Sequence, residues 1–150
     1  MTDRQAMLLA IRNAQSAAAD GEVPVGAVVL KDGEVIGEGR NRRENGKNAV
    51  LHAEIEAIEN ACKAVGSWRL QGCELFVTLE PCPMCAGAIM NARLDRLVFG
   101  AYDENAGFII SRKELFDGFS AVSPAIVGGY METECAEILT TFFQNRRNET

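Results

Sequence analysis

The chain has 150 residues, of which 47% are hydrophobic and 24% charged, and its formal net charge is −6. This length suits one domain, residues 1–150, with a hydrophobic core of its own, and the composition is that of an ordinary globular protein. The sequence has no apolar run near the ~20 residues of a membrane-spanning helix, and the acidic balance argues mildly against a nucleic-acid partner.

The first third of the chain predicts a helix followed by a β-hairpin. Residues 3–19 are rich in helix formers, Thr2 and Asp3 are capping candidates, and Gly21 ends the run. The stretch "PVGAVVLKDGEVIGEGRN" then predicts two strands joined by a tight turn at Asp32 and Gly33.

Helices and strands alternate in the remainder of the chain, which predicts parallel pairing with helices on both faces of the sheet. We therefore expect a three-layer α/β/α fold around a mixed sheet of about five strands. The predicted elements are a helix at 52–65, a strand at 73–79, a helix at 83–93, a strand at 95–101, a loop with one helical turn at 103–124, a short strand at 125–129 and a helix at 132–146.

The cysteines and the N-terminus indicate a cytoplasmic protein. The apolar stretch Met7–Ile11 is too short for a signal peptide. Five cysteines form an odd set with one close pair, which argues against a disulfide framework. Cys62, Cys73 and Cys135 have apolar neighbours, so we expect them in the core.

The other two cysteines, with the single histidine, predict a metal site. His52 and Glu54 open one predicted helix, and Cys82 and Cys85 open the next, as H-x-E and P-C-x-x-C. One imidazole and two thiolates make three ligands, whereas structural zinc usually takes four; three protein ligands and a water are typical of catalytic zinc. Glu54 as a fourth ligand is the main alternative, and a redox C-x-x-C motif is another.

The spacing of His52 and Glu54 carries a geometric condition. Residues two apart in a regular helix point roughly 200° away from each other, so both face one site only if His52 occupies the irregular first position. In that arrangement the Glu54 carboxylate lies beside the open metal position, where it can act as general acid and base.

The "HAE" and "EPCPMCAGA" motifs resemble the zinc-dependent cytidine and deoxycytidylate deaminase superfamily. The longer similarity, in "GEVPVGAVV", "GRN", "HAEI", "WRL", "LFVTLEPCPMCAGAI", "VFGAYD" and "EC…FFQNRR", is to bacterial tRNA-specific adenosine deaminases. This resemblance implies a cytidine-deaminase-like fold and one Zn²⁺ per subunit with a bound water or hydroxide. It also implies a homodimer that hydrolyses adenosine to inosine at the wobble position of a tRNA anticodon loop.

The resemblance also implies roles for individual residues. Zinc is bound by His52, Cys82 and Cys85, and Glu54 shuttles the proton. The substrate is contacted by Asn41, by the backbone at Ala53, by Pro81 and by Asp103; the last helix meets RNA through Phe142, Phe143, Arg146 and Arg147. Asn41 and Asp103 are alternatively turn residues. Packing against the sheet is a more economical explanation of the two phenylalanines than base stacking.

Two segments depart from the usual family pattern, at 48–51 and 104–124, and they leave other functions open. One is deamination of a free base or nucleoside such as guanine, guanosine, adenosine or cytidine. Another is a non-catalytic zinc-stabilised RNA-binding subunit, against which Glu54 argues. The basic cluster Arg40–Lys47 is either an RNA contact or a solvated surface. The small residues Ala86, Gly87, Ala88 and Ala92 are either a dimer face or core.

Overall fold

A computed structural model describes residues 1–112 and 123–148, and it confirms the predicted order of elements. The last helix continues two residues beyond the predicted end, and residues 113–122 of the predicted 103–124 loop lie outside the described part. The elements are α1 (Asp3–Ala19), β1 (Gly26–Lys31), β2 (Glu34–Arg40), α2 (Ala53–Val65), β3 (Cys73–Leu79), α3 (Pro83–Ala92), β4 (Arg96–Ala101), β5 (Ala125–Val127) and α4 (Glu132–Asn148).

The five strands form one mixed sheet in the order β2-β1-β3-β4-β5. β1 is antiparallel to both β2 and β3, whereas β3, β4 and β5 are parallel. Asp32 and Gly33 both have positive φ, 51° and 77°, as the tight turn of a two-residue hairpin requires. The carboxyl ends of the parallel strands lie at one edge of the sheet. The helix that follows β3, α3, begins at the same edge.

Side chains alternate between two buried layers, which confirms the three-layer architecture. Ala27, Val29 and Leu75 face α2 and α3. Val28 and Phe76, their neighbours in sequence, face α1 and α4 on the opposite side. The period of two along each strand therefore places one helix pair on each face of the sheet.

Two glycines of β2 allow α2 to lie unusually close to the sheet. A Cβ at Gly39 would come 2.2 Å from the carbonyl oxygen of Ala53, and one at Gly37 would come 2.4 Å from that of Ala57. A larger residue at Gly39 would therefore push the first turn of α2 outward, and one at Gly37 would displace the middle of the helix. This contact sets the position of the helix start, where His52 and Glu54 lie.

Ion pairs fasten the N-terminus of α1 to the sheet. Thr2 caps the helix through a capping box with Gln5. The guanidinium of Arg96 binds Asp3 and Glu74, each at 2.7 Å. Hydrogen bonding to Arg96 holds the pKa of the Asp3 carboxyl below its usual value, so Asp3 is charged at neutral pH.

All five cysteines are free thiols. Cys73 and Cys135 are buried, as predicted. Cys62 is half-buried and packs against the core from the last turn of α2, with its Sγ 3.8 Å from the carbonyl oxygen of Trp68. Among the described residues, no helix has the length and apolarity that crossing a bilayer requires.

Candidate metal centre and active site

Helix starts position the two motifs. His52 is the N-cap of α2 and Cys82 the N-cap of α3, both with extended backbone and neither with a side-chain capping hydrogen bond. Their side chains are therefore available to a ligand. Cys85 lies three residues into α3, beside the first turn, and Pro83 suits that turn because its missing N–H would be unpaired there in any case.

The three predicted metal ligands converge. Nδ1 of His52 lies 3.7 Å from Sγ of Cys82 and 3.6 Å from Sγ of Cys85, and all three ligand atoms lie within 4.8 Å of one another. Tetrahedral zinc, with bonds of about 2.05 Å to nitrogen and 2.3 Å to sulfur, requires a nitrogen–sulfur separation of about 3.6 Å. The donor set and its spacing therefore fit zinc. Glu54 is not a member of the group, which argues against its being the fourth ligand.

The cysteine thiols are electrostatically coupled. A hydrogen bond with Cys85, assisted by His52, lowers the pKa of Cys82 to about 4, so Cys82 is a thiolate at neutral pH. The same contact and burial raise the pKa of Cys85. The pKa of His52 is raised, chiefly by its hydrogen bond with Cys82. Metal binding displaces protons from such ligands, so zinc affinity here depends on pH.

Glu54 is the buried acid of the site, with 4% of its surface exposed. Burial raises the pKa of its carboxyl to about 6. Because His52 is the N-cap and not a helical residue, both side chains reach the same cavity, which meets the geometric condition derived from the H-x-E spacing. A carboxyl that titrates near neutral pH is suited to both accepting and donating a proton.

A cavity of about 250 Å³ opens over these groups. It lies between the start of α2, the end of β3 and two loops that form its mouth. Its lining residues are Glu22, Val23, Val25, Asn41, Arg43, Glu44, His52, Ala53, Glu54, Leu79, Glu80, Cys82, Asp103, Ala106 and Arg146.

Asn41 and Asp103, two of the predicted substrate contacts, line the cavity from opposite loops. The Asn41 amide donates to the carbonyl oxygen of Val23 and accepts from the N–H of Arg43. Oδ1 of Asp103 accepts from the N–H groups of Asn105 and Ala106. Each residue therefore also shapes its own turn, as the alternative prediction held.

Ala53 and Pro81 take different positions. Ala53 is the first residue of α2 and lines the cavity. Pro81 is buried beside Cys82 but does not line the cavity, contrary to the prediction. Its carbonyl oxygen accepts a hydrogen bond from the N–H of Phe108, 3.0 Å away.

The arginines of the predicted basic cluster Arg40–Lys47 differ in their surroundings. Arg40 and Arg42 are paired with Asp20 and Glu56, whereas Arg43 lines the cavity.

Arg146 of α4 reaches the cavity mouth and its guanidinium lies 5.2 Å from the centre of the Phe142 ring. Phe143 is 43% exposed, so the prediction that it packs against the sheet was wrong.

The four small residues predicted to form one face of α3 differ in burial. Ala86 and Ala92 are buried, whereas Gly87 and Ala88 are half-buried.

Sequence reasoning missed Glu22 and Glu80, two further buried glutamates that line the cavity. Each stands in an otherwise apolar stretch, "GEVPVG" or "VTLEPCP". An acidic residue in such a stretch is rarely buried unless it has partners, and this could have marked both.

Comparison with known proteins places the chain among deaminases. The profile of the cytidine and deoxycytidylate deaminase zinc-binding region matches residues 1–101. A tRNA-specific adenosine deaminase of Bacillus subtilis is 42% identical over 98% of this chain and 92% of its own length.

Solved structures agree with the sequence relatives. One, from a study of A-to-I editing by deaminases at the wobble position of transfer RNA, is 44% identical, with a TM-score of 0.87 over 91% of this chain and 99% of that one. A guanine deaminase of Bacillus subtilis is 38% identical, with a TM-score of 0.65 over 68% of this chain and 66% of that one. The chain therefore belongs to the zinc-dependent cytidine and deoxycytidylate deaminase family, as its H-x-E and P-C-x-x-C motifs predicted.

Proposed function

We propose that this zinc-dependent deaminase converts adenosine to inosine at the wobble position of a tRNA anticodon loop. The observation that carries this proposal is the extent of the similarity. The relatives named tRNA-specific adenosine deaminase match over 98% of the chain, so the similarity extends well beyond the metal motif. The pI near 4.9 is acidic, but two arginines, Arg43 and Arg146, line the cavity and can contact phosphate groups.

The chemistry follows from the groups around the cavity. Zinc held by His52, Cys82 and Cys85 supplies the Lewis acidity that makes water a nucleophile at neutral pH. Glu54 takes a proton from the attacking water and delivers it to N1 of the purine. It then transfers the proton of the hydroxyl group added at C6 to the amino group, which leaves C6 as ammonia. Water is consumed and inosine is formed, with no net change in the protonation of Glu54.

Asn41, Ala53 and Asp103 bind and orient the nucleotide in the cavity. Asn41 follows β2 and Asp103 follows β4, so they line the cavity from two different loops, which suits contacts to the base edge and to the nucleotide backbone. Ala53 shapes the wall beside the metal ligands. An adenosine within a duplex could not enter so small a cavity, so the target base has to be unpaired, as it is in an anticodon loop.

We further propose that the chain acts in the cytoplasm as a homodimer. None of the five cysteines forms a disulfide, which suits a reducing compartment. Met84, Gly87 and Ala88 leave a half-buried apolar strip along α3, and small residues allow a second helix to approach closely. Sedimentation equilibrium tests the proposed dimer, and a monomer at micromolar concentration would contradict it.

Ammonia release by the zinc-loaded protein tests the substrate. We expect turnover of an unmodified anticodon stem-loop that contains the wobble adenosine, and none of free guanine, guanosine, adenosine or cytidine at equal concentration. The matched control is the same stem-loop with guanosine at the wobble position, which should release no ammonia. Turnover of free guanine alone would contradict the proposal and favour the activity named for the guanine deaminase neighbour.

A further inference from the structure

The buried charged residues of the described chain share one location. They are Glu22, Glu54 and Glu80, exposed by 1%, 4% and 2%, and all three line the deaminase cavity. The reaction uses Glu54. A buried carboxylate is costly to maintain unless donors surround it, so the contacts of Glu22 and Glu80 indicate what these two residues do.

Glu80 accepts hydrogen bonds from several residues of the loop that follows β4. Its Oε1 accepts from the N–H of Asp103 at 3.1 Å and from the hydroxyl of Ser111. Its Oε2 accepts from the N–H groups of Ile109, Ile110 and Ser111, at 3.2, 2.7 and 2.8 Å. These hydrogen bonds outweigh the effect of burial and hold the pKa of Glu80 below its usual value. One carboxylate thus bonds both ends of the segment 103–111.

That segment carries part of the cavity wall and is tightly seated. Asp103 and Ala106 line the cavity. A Cβ at Gly107 would lie 2.4 Å from the Glu80 carboxylate, so the backbone passes directly over it. Because Glu80 is separated from Cys82 only by Pro81, the loop is fastened to the stretch of chain that leads into the metal site.

Glu22 holds the opposite side of the mouth. Its two carboxylate oxygens accept from the backbone N–H groups of Glu44 at 3.0 Å and Asn45 at 2.7 Å. The Asn45 side chain adds a hydrogen bond to the carbonyl oxygen of Asp20. The segment held in this way, 41–48, presents Asn41, Arg43 and Glu44 to the cavity.

We propose that Glu22 and Glu80 are positioning residues, which hold the segments 41–48 and 103–111 in the conformation that receives the nucleotide. The proposal rests on the proposed function for the identity of the nucleotide. Neither residue takes part in proton transfer. They act through the loops, so their loss should weaken substrate binding more than it slows the chemical step.

Glutamine is an informative replacement because it keeps the shape of the side chain. At position 80 its oxygen can replace Oε2 and keep the three N–H bonds to 109–111. Its NH₂ group then replaces Oε1, where the Ser111 hydroxyl can turn to accept. The N–H of Asp103 is left facing another donor. Glu80→Gln should therefore release the Asp103 end of the segment selectively. At position 22, glutamine removes one of the two backbone bonds.

Steady-state kinetics on the anticodon stem-loop tests the proposal with the zinc-loaded variants Glu22→Gln and Glu80→Gln. Glu104→Gln is the matched control, because it removes the same charge from an exposed position within the 103–111 segment. We expect KM to rise about tenfold in both test variants with kcat within about twofold of wild type. Zinc content should stay at one ion per chain, and the control should match wild type.

Hydrogen exchange provides a readout that does not depend on activity. In Glu80→Gln we expect exchange within 103–111 to accelerate about tenfold while α2 and β3 keep their protection. Glu22→Gln should produce the corresponding effect in 41–48. Ser111→Ala, which removes a single hydroxyl, should shift 103–111 in the same direction by less, and it carries the test if Glu80→Gln does not fold.

Two results would overturn the proposal. One is kinetics and exchange in Glu22→Gln and Glu80→Gln equal to those of Glu104→Gln. The other is faster exchange throughout the chain with kcat and KM both impaired, which would assign these residues a general structural role. If the wild-type chain does not turn over the stem-loop, the substrate proposal fails. The exchange comparison then still decides whether the two glutamates hold the loops.

Discussion

Glu54 lies in the first turn of α2, where its carboxyl group is buried beside Cys85. Its environment places the pKa near 6, whereas Glu56, two residues further on, accepts hydrogen bonds from the backbone of Arg40 and the side chain of Arg42. Two glutamates on one helical turn thus serve different purposes because they face different surroundings.

Replacing Glu54 with glutamine should abolish proton transfer and leave the metal in place. We expect Glu54→Gln to bind one zinc per chain and to lose at least about a hundredfold in kcat, the usual contribution of a general acid and base. The control is Glu59→Gln, an exposed position on the same helix. Rates and zinc content measured side by side check this, and a Glu54→Gln rate near that of the control would exclude the assigned role.

At this scale the sequence predicted the metal group well but not the loop contacts. The H-x-E spacing required His52 to precede the helix, and it is the N-cap. The partners of Glu80 lie 23 to 31 residues away in an aperiodic loop. No local pattern records such contacts, so the residue could be noticed only as an acid in an apolar stretch.

Among the elements, α1 depends most visibly on electrostatics for its placement. Asp3 lies in its first turn, where a negative charge also suits the helix dipole. Arg96 reaches it from the start of β4 and is shared with Glu74 of β3. This small network connects a helix to two neighbouring strands, at the edge of the sheet opposite the metal group.

The Asp3–Arg96 pair should make stability depend on pH. Because the folded-state pKa of Asp3 is lowered, its contribution is present above the unfolded value near 3.9 and is lost as pH falls through the folded value. Asp3 and Arg96 are 39% and 30% exposed, so we expect their coupling at pH 7 to be under about 1 kcal/mol.

A double-mutant cycle measured by urea unfolding checks this prediction. Asp3→Asn, Arg96→Met and the double variant isolate the pair from the effects of each residue alone. The coupling should shrink between pH 7 and pH 2. A coupling that is constant over this range would show that the carboxylate charge contributes nothing to it.

The helices and strands could be predicted from the sequence because each carries a local signal. The Asp32-Gly33 turn, the capping residue Thr2 and the apolar run of β3 all act over a few neighbours. The close approach of α2 to Gly37 and Gly39 was not readable. It depends on which helix crosses which strand, and glycine alone does not indicate its neighbour.

At the level of the whole molecule, the metal group joins two helix starts beside one edge of a sheet that has its own core. Both helices face the layer that includes Leu75, Val77 and Phe99. The core does not include the ligand side chains other than Cys85. We therefore expect zinc to add stability to a fold that persists in its absence, unlike a zinc finger.

Removing zinc with a chelator should lower the Tm by on the order of 10 °C, because a ligand well above its Kd stabilises only the folded state. Circular dichroism should retain the helical signal below the transition. Cys82→Ala is the control, since its Tm should be lower from the start and insensitive to the chelator. Loss of secondary structure on chelation at 25 °C, or an equal shift in Cys82→Ala, would contradict this prediction.

The order of the site residues along the chain has a consequence for biosynthesis. The metal ligands and Glu54 all lie between residues 52 and 85, whereas Asp103, Ser111 and Arg146 are made later. Chains emerge from the ribosome at about 5–20 residues per second, so the ligands are synthesised seconds before the loop 103–111 and α4 are complete. We therefore expect that the nascent protein can bind zinc before the loop 103–111 and α4 complete the mouth of the cavity.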